Sequence, residues 1–113
     1  MNIDWTFRDR PLPEDVQGRI GQHLGKLDRF LRDPADARVV VTYAGPTHQR
    51  IDLEVVLTSP EGTFTGRGEG HEIDDVVREA LQRVEAQAQR AHDKRRAGRR
   101  KGGAEPAVAS DEA

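Results

Sequence analysis

The stretch Ile51–Gly70 reads IDLEVVLTSPEGTFTGRGEG and contains the clearest structural pattern in the chain. In its first half apolar and polar residues alternate, which is the period of a β-strand with one buried face. Ser59-Pro60-Glu61-Gly62 has the composition of a tight turn, and the alternation resumes after it as far as Gly70. We therefore expect two strands that this turn joins into an antiparallel hairpin.

The residues before this hairpin predict two more strands with a helix between them. Residues 2–8 alternate with period two, and Val dominates residues 38–44. From Pro13 the period changes to that of a helix, which we expect to stop at Asp33-Pro34. Its apolar residues form one stripe: Val16, Ile20, Leu24, Leu27 and Leu31.

A second, longer helix is predicted after the hairpin, from about Glu72 onward. Its buried side should consist of Ile73, Val76, Val77, Ala80, Leu81, Val84, Ala88 and Ala91. Residues 102–113 are small, acidic and without aromatic side chains, as is typical of disorder. We expect one domain over residues 1–97 and a disordered tail, rich in Gly, Ala and acidic residues, over residues 98–113.

The element order β-α-β-β-β-α predicts the architecture. A strand–helix–strand start favours a right-handed crossover between parallel strands, whereas short turns make the last three strands antiparallel. Each helix has one apolar stripe, so both helices should pack on one face of the sheet and leave the other face in water. The expected fold class is α+β, a two-layer fold with a four-stranded mixed sheet and two helices on one face.

The composition excludes several classes of protein. The chain has 113 residues, 35% of them hydrophobic and 34% charged, so one small core is expected. It has no cysteine, which excludes disulfides, thiolate catalysis and Cys-based zinc sites. It has no apolar run long enough to span a membrane and no signal-peptide pattern, so we expect a cytoplasmic protein without a membrane partner.

Residue patterns typical of catalysis or cofactor binding are weak. The four histidines lack the spacing of a metal pair, and the two serines, Ser59 and Ser110, lie in a turn and in the tail. The glycines of Gly66-Arg67-Gly68-Glu69-Gly70 alternate along a predicted strand, where we expect them to relieve crowding under a helix rather than to hold phosphate. The sequence predicts no enzyme, no metal, no cofactor and no small-molecule substrate.

The formal net charge of -2 conceals a segregated distribution. Residues 1–89 contain 11 Lys and Arg against 16 Asp and Glu, whereas residues 90–101 contain seven against one. Fifteen of the 18 basic residues are Arg, whose guanidinium pairs with phosphate in a bidentate manner. The distribution predicts a polyanionic partner, although the basic run could also serve only as a solubilising tail.

Both predicted helices contain clustered basic residues. On the first helix the cluster lies beside the apolar stripe and consists of Arg19, His23 and Lys26, with Arg29 further round. On the second helix one stripe contains Arg83, Arg90, Lys94 and Lys101. As a protruding helix or a flexible arm, the stretch from Arg90 to Lys101 would bind phosphates with strong dependence on salt.

Three glycines of the first helix, Gly18, Gly21 and Gly25, are expected on the face opposite the core. Each costs a helix roughly 1 kcal/mol relative to Ala. Two interpretations stay open. The glycines could form a smooth face that lets a large partner approach closely, or they could be weakly selected exposed positions.

Several stretches together resemble the ribosome hibernation-promoting factor family, which includes ribosome-associated inhibitor A and the sigma-54 modulation proteins. They are Met1-Asn2-Ile3, Leu24-Gly25-Lys26-Leu27-Asp28-Arg29-Phe30, Glu69-Gly70 and Gln89-Arg90-Ala91-His92-Asp93-Lys94. The resemblance covers residues 1–97. It implies a βαβββα fold similar to double-stranded RNA-binding domains.

The resemblance also implies a bacterial function without turnover. Such a protein binds the small ribosomal subunit, through its 16S rRNA, and the 70S ribosome, in the channel where mRNA and tRNAs sit. It blocks translation under stress or in stationary phase and protects idle ribosomes. Long members have a C-terminal domain that pairs ribosomes; this sequence shows no such domain, so we expect a monomer.

Nine residues are candidates for RNA contact. The resemblance assigns Lys26 and Arg29 on the first helix and Arg90, His92 and Lys94 on the second. Helical position adds Arg19, His23 and Arg83, and the basic run adds Arg95.

One part of the sequence departs from the family. Family members usually begin the second helix with an aromatic-containing sequence, whereas here Glu72–Arg78 is acidic. The alternative is therefore a general RNA- or protein-binding module of the same fold without ribosome specificity. Binding to duplex RNA as strong as binding to ribosomes would favour that alternative.

Overall fold

The structure is a computed structural model that describes residues 1–32, 34–47 and 49–101, with the backbone alone for residues 95–101. Its elements in chain order are the strand β1 (Asn2–Arg8), the helix α1 (Glu14–Leu27), a 3₁₀ turn (Asp28–Phe30), the strands β2 (Asp36–Ala44), β3 (Arg50–Ser59) and β4 (Gly62–Gly70), and the helix α2 (Ile73–Lys101). The predicted tail lies outside the described residues from residue 102 onward.

The sheet has the predicted topology. Its strand order is β1-β2-β3-β4, with β1 parallel to β2 and the other two neighbouring pairs antiparallel. The register places Trp5 opposite Val39, Val39 opposite Val55 and Val55 opposite Gly66, so apolar residues of all strands share one face. The predicted α+β class with a four-stranded mixed sheet and two helices is confirmed.

The core lies between this face and the two helices. Ile20 and Leu24 of α1 and Val84 of α2 are fully buried against Val55 and its neighbours, in one cluster. All five residues of the α1 stripe are buried. Of the residues predicted on the buried side of α2, only Ile73 and Ala91 stay partly exposed. The apolar periodicity of both helices therefore identified the faces that pack on the sheet.

The first helix is shorter than its periodicity predicts. The α-helix ends at Leu27, and the chain continues as a 3₁₀ turn from Asp28 to Phe30. This turn still directs Leu31 into the core, where it is 8% exposed. Because a single turn keeps the three-to-four-residue spacing of buried side chains, the sequence pattern could not distinguish the two helix types.

The glycines of β4 allow α2 to lie directly on the strand. A Cβ at Gly66 would lie 2.2 Å from the carbonyl oxygen of Ala80, and one at Gly68 would lie 2.3 Å from that of Val76. Real Cβ atoms do not approach backbone this closely, so only glycine fits under the helix at these two positions. The expectation that the glycines relieve crowding is confirmed there.

Side chains of α2 bind the free edge of β4. Gln87 accepts the N–H of Thr65 (3.0 Å) and donates its amide to the Thr65 carbonyl (2.7 Å). Arg83 donates to the carbonyl of Arg67 (2.9 Å), and Glu79 accepts the N–H of Glu69 (3.3 Å). Four residues extend about 6.0 Å along a helix, and two residues extend about 6.6–6.8 Å along a strand. Because these lengths nearly match, every fourth residue of α2 lies beside every second residue of β4. An exposed sheet edge is thereby covered.

We expect Gln87→Met to lower the free energy of unfolding by about 1–2 kcal/mol, because it removes both hydrogen bonds to Thr65 and leaves two backbone groups unsatisfied. Urea titration followed by circular dichroism measures the change. The matched control is Gln89→Met, since Gln89 is exposed on the same helix. Equal stability of the two variants would contradict a structural role for the Gln87 bonds.

Among the described residues, no helix is long and apolar enough to cross a membrane.

Candidate nucleic-acid interface

Two of the predicted contact residues on α1 are paired with carboxylates of α2. The guanidinium of Arg19 lies 2.9 Å from Asp74 Oδ1, and Nε2 of His23 lies 2.9 Å from Glu85 Oε1. Both pairs cross the groove between the helices, above the apolar side chains of Val77 and Leu81. Arg19 and His23 therefore help to hold α1 beside α2.

Arg83 is engaged at the β4 edge. Besides its bond to the carbonyl of Arg67, its guanidinium lies 2.8 Å from Glu79 Oε2. Helical spacing placed Arg83 in one basic stripe with Arg90 and Lys94, but spacing on α2 could not show that β4 lies next to this part of the stripe. A phosphate at Arg83 would have to compete with two intramolecular partners.

Four other predicted residues form a contrasting set of exposed cations: Lys26, Arg29, Arg90 and Lys94. Within the described part of the chain, no carboxylate lies within 4.0 Å of any of them. We call this set the unpaired cations. Their charge is available to an external anion, because among the described residues no ion pair of theirs has to be broken first.

Arg90 and Lys94 line a groove between α2 and the β3–β4 turn. Phe64 and Ala91 give the groove an apolar part, while Gln87 and Glu61 supply polar atoms. The Glu61 carboxylate accepts the backbone N–H of Arg32 (3.0 Å) and the hydroxyl of Ser59 (3.1 Å), and the guanidinium of Arg32 lies 3.3 Å from it. Glu61 thus joins the β3–β4 turn to the segment that follows the 3₁₀ turn, and Arg90 and Lys94 supply positive charge to the opposite rim.

His92 and Arg29 meet at an aromatic side chain that charge patterns could not identify. The Phe30 and His92 ring centroids are 5.3 Å apart with planes tilted by 57°, and the Arg29 guanidinium carbon lies 5.1 Å from the Phe30 centroid. Phe30 is partly buried, and the sequence signals for it are its place beside Arg29 and in the stretch Leu24–Phe30 that carries the family resemblance. Arg95 belongs to α2, but its side chain lies outside the described residues.

Comparison with known proteins identifies the family of this chain. The model of the family described as "Sigma 54 modulation protein / S30EA ribosomal protein" matches residues 3–96. The chain belongs to this family. The match includes all of α1, the part of α2 up to residue 96 and all nine candidate residues, and the family's description connects it with the ribosome.

Solved structures share the fold of this sigma 54 modulation and S30EA family member. The crystal structure of the Thermus thermophilus Protein Y N-terminal domain matches with a TM-score of 0.68 and 24% identity, over 80% of this chain and 98% of that one. A ribosomal subunit interface protein from Coxiella burnetii matches with a TM-score of 0.63 and 13% identity, over 80% and 96% of the two chains. No curated protein sequence matches the chain closely enough to count as a relative.

In this family member the acidic start of α2 is neutralised internally. Asp74 pairs with Arg19 of α1, and Asp75 pairs with Arg78 one turn along α2. The hydrogen bond and the negative charge of Asp75 raise the pKa of Arg78 above its ordinary value. The departure of Glu72–Arg78 from the usual family sequence therefore comes with compensating cations.

The open face of the sheet also contains opposite charges in close proximity. Arg67 lies 3.0 Å from Asp52, whose hydrogen bond and charge raise the pKa of Arg67, and Arg50 pairs with Glu69. No group of three or more histidine or carboxylate side chains that could hold a metal ion is found in the described ranges.

The α1 glycines do not all lie on one open face. A Cβ would meet nothing within 4 Å at Gly18 or Gly25, but at Gly21 it would lie 4.0 Å from the side chain of Ile3. The expectation of a common face opposite the core is wrong for Gly21, because β1 lies beside that part of the helix. For Gly18 and Gly25 both interpretations stay open: a smooth face for a large partner, or weakly selected exposed positions.

Gly25→Ala should raise the free energy of unfolding by about 0.5–1 kcal/mol, since alanine is the better helix former and has open space there. Thermal unfolding measures the gain, and no gain would contradict the open space. The same variant separates the two interpretations, because only a smooth contact face would lose affinity for a large partner when a methyl group is added.

Proposed function

We propose that this protein is a translation inhibitor of the hibernation type, which binds the small ribosomal subunit as a monomer in the channel of mRNA and tRNA and blocks translation under stress. The observation that carries the proposal is the set of unpaired cations, Lys26, Arg29, Arg90 and Lys94, on a chain of net charge -2. Membership of a family described as ribosomal supports it. Inhibition would be steric and needs no catalytic group.

The electrostatics support an rRNA surface as the partner. Four cations that have no carboxylate partner in the described part of the chain can each neutralise one phosphate and release its counterion. The logarithm of the binding constant should then fall with the logarithm of the salt concentration, with a slope of about -3.6 for a duplex with the charge density of B-DNA and about -2.8 for single strands. Binding that survives physiological salt would need shape complementarity to a particular site as well.

Cosedimentation with isolated 30S, 50S and 70S particles, at low and near-physiological salt, tests the proposal. We expect binding to 30S and 70S at about one protein per particle, retained at the higher salt, and none to 50S. Loss of all binding at the higher salt would overturn the proposal, because the basic stretch would then act as a nonspecific arm.

A general RNA-binding module of the same fold is the second candidate. It is favoured by the internal pairing of Arg19, His23 and Arg83, which leaves fewer cations for a specific surface. Affinity for a plain RNA duplex, compared with affinity for 30S at equal salt, separates the two candidates. We expect the 30S subunit to bind more tightly.

A further inference from the structure

Three flat groups from two elements lie together where the 3₁₀ turn after α1 meets α2. Phe30 occupies the middle, with the His92 ring against it and the Arg29 guanidinium over it. We call these three residues the stacked triad. A guanidinium within about 6 Å of a ring centroid is attracted to the ring face, so the triad orients Arg29 without a carboxylate.

The triad is not fully enclosed in the core. Leu27 and Leu31 flank it in sequence and are 2% and 8% exposed, whereas Phe30 and His92 keep a larger exposed fraction and Arg29 is exposed. A ring that only filled the core would be covered as its neighbours are. Part of the stack therefore faces solvent.

We propose that the stacked triad binds one unpaired base of RNA by stacking, an inference that rests on the proposed function and names the kind of RNA it takes. Bases stack on aromatic rings and on arginine planes, and this contact is available only where the base is not stacked within a helix. Lys26, one turn before Arg29, supplies a cation for a phosphate next to that base. The unpaired cations bind the backbone, and the triad selects single-stranded over duplex segments.

The test uses the whole protein and two seven-nucleotide single-stranded RNAs that carry the same phosphates. One contains the fluorescent base 2-aminopurine at its centre, and the other has an abasic site there. Affinities are measured by anisotropy of an end label at low salt, and stacking by the 2-aminopurine emission. We expect about tenfold tighter binding of the RNA that has the base, together with quenched emission.

Variants separate stacking from charge. Arg29→Lys keeps the positive charge but removes the planar group, and Arg29 is exposed, so the fold should survive. Phe30→Leu removes the ring, while Phe30→Tyr retains it. We expect Arg29→Lys and Phe30→Leu to lose most of the base preference and Phe30→Tyr to keep it. Phe30→Leu, which changes no charged group, should leave the affinity for the abasic RNA unchanged.

Equal affinity of the unchanged protein for the two RNAs, or no binding of either at low salt, would overturn the stacking proposal. A preference retained in both Arg29→Lys and Phe30→Leu would also overturn it. These failures are distinguishable from failure of the proposed function, because cosedimentation with 30S through phosphate contacts alone would continue without any base preference.

Discussion

Gly66→Ala is expected to lower the free energy of unfolding by about 3 kcal/mol, the upper end of the range for overpacking in a core. The new methyl group would lie 2.2 Å from the Ala80 carbonyl oxygen and 2.7 Å from the Val84 nitrogen. Both are backbone atoms of α2, so no side-chain rotation can relieve the contact, and the helix must move away from β4. Such a movement would also stretch the bonds of Gln87 to Thr65.

Differential scanning calorimetry or thermal circular dichroism measures this effect. A loss of about 3 kcal/mol corresponds to a melting temperature lower by roughly 12–24 °C in a domain of this size. The matched control is Gly70→Ala on the same strand and face, where the nearest atom to a Cβ is a side-chain carbon of Val76 at 3.5 Å, an ordinary contact. If the two variants melted at the same temperature, the close approach of α2 to β4 would be refuted.

The charge reversal Arg90→Glu with Lys94→Glu is expected to abolish cosedimentation with the small subunit at near-physiological salt. Both side chains are exposed and unpaired within the described residues and line the same groove, so the fold should not depend on them. Each of the two changes replaces an attraction to phosphate by a repulsion, so we expect the affinity to fall by more than about tenfold. The slope of the logarithm of the binding constant against the logarithm of the salt concentration should decrease in magnitude by about two.

The control for this prediction is Arg8→Glu with Arg38→Glu, which changes the net charge equally but lies on the open face of the sheet, away from the helices. It should still cosediment with 30S. If both double variants bound as the unchanged protein does, the contact surface on α2 would be wrong. If both lost binding, overall charge rather than a defined surface would control the interaction.

The fold was largely predictable because its signals are local. The alternation in Ile51–Leu57, the turn at Ser59–Gly62 and the stripe from Val16 to Leu31 each depend on residues close together in the chain. Burial repeats with the period of the element, so these patterns determine which side faces the core. The change from α-helix to 3₁₀ turn after Leu27 was missed, since it leaves the burial pattern intact.

The candidate site was predictable only in part. Charge and spacing selected Arg19 and Arg90 alike, yet Arg19 is paired with Asp74 while Arg90 has no carboxylate nearby among the described residues. Asp74 is 55 positions away in the sequence, and nothing in the local pattern relates the two. Phe30 was missed as a contact residue because its neighbour His92 comes from the other end of the chain.

The amino-acid sequence alone was sufficient for the order of the elements, the strand pairing, the buried faces and the concentration of positive charge near the end of α2. The packing of the elements against each other determined which cations stay unpaired and which glycines are irreplaceable. Gly66, Gly68 and Gly70 look equivalent in the sequence, but α2 crosses β4 closely only over the first two. Local periodicity shows which way a side chain faces, whereas ion pairs and close contacts depend on distances between segments that are remote in the chain.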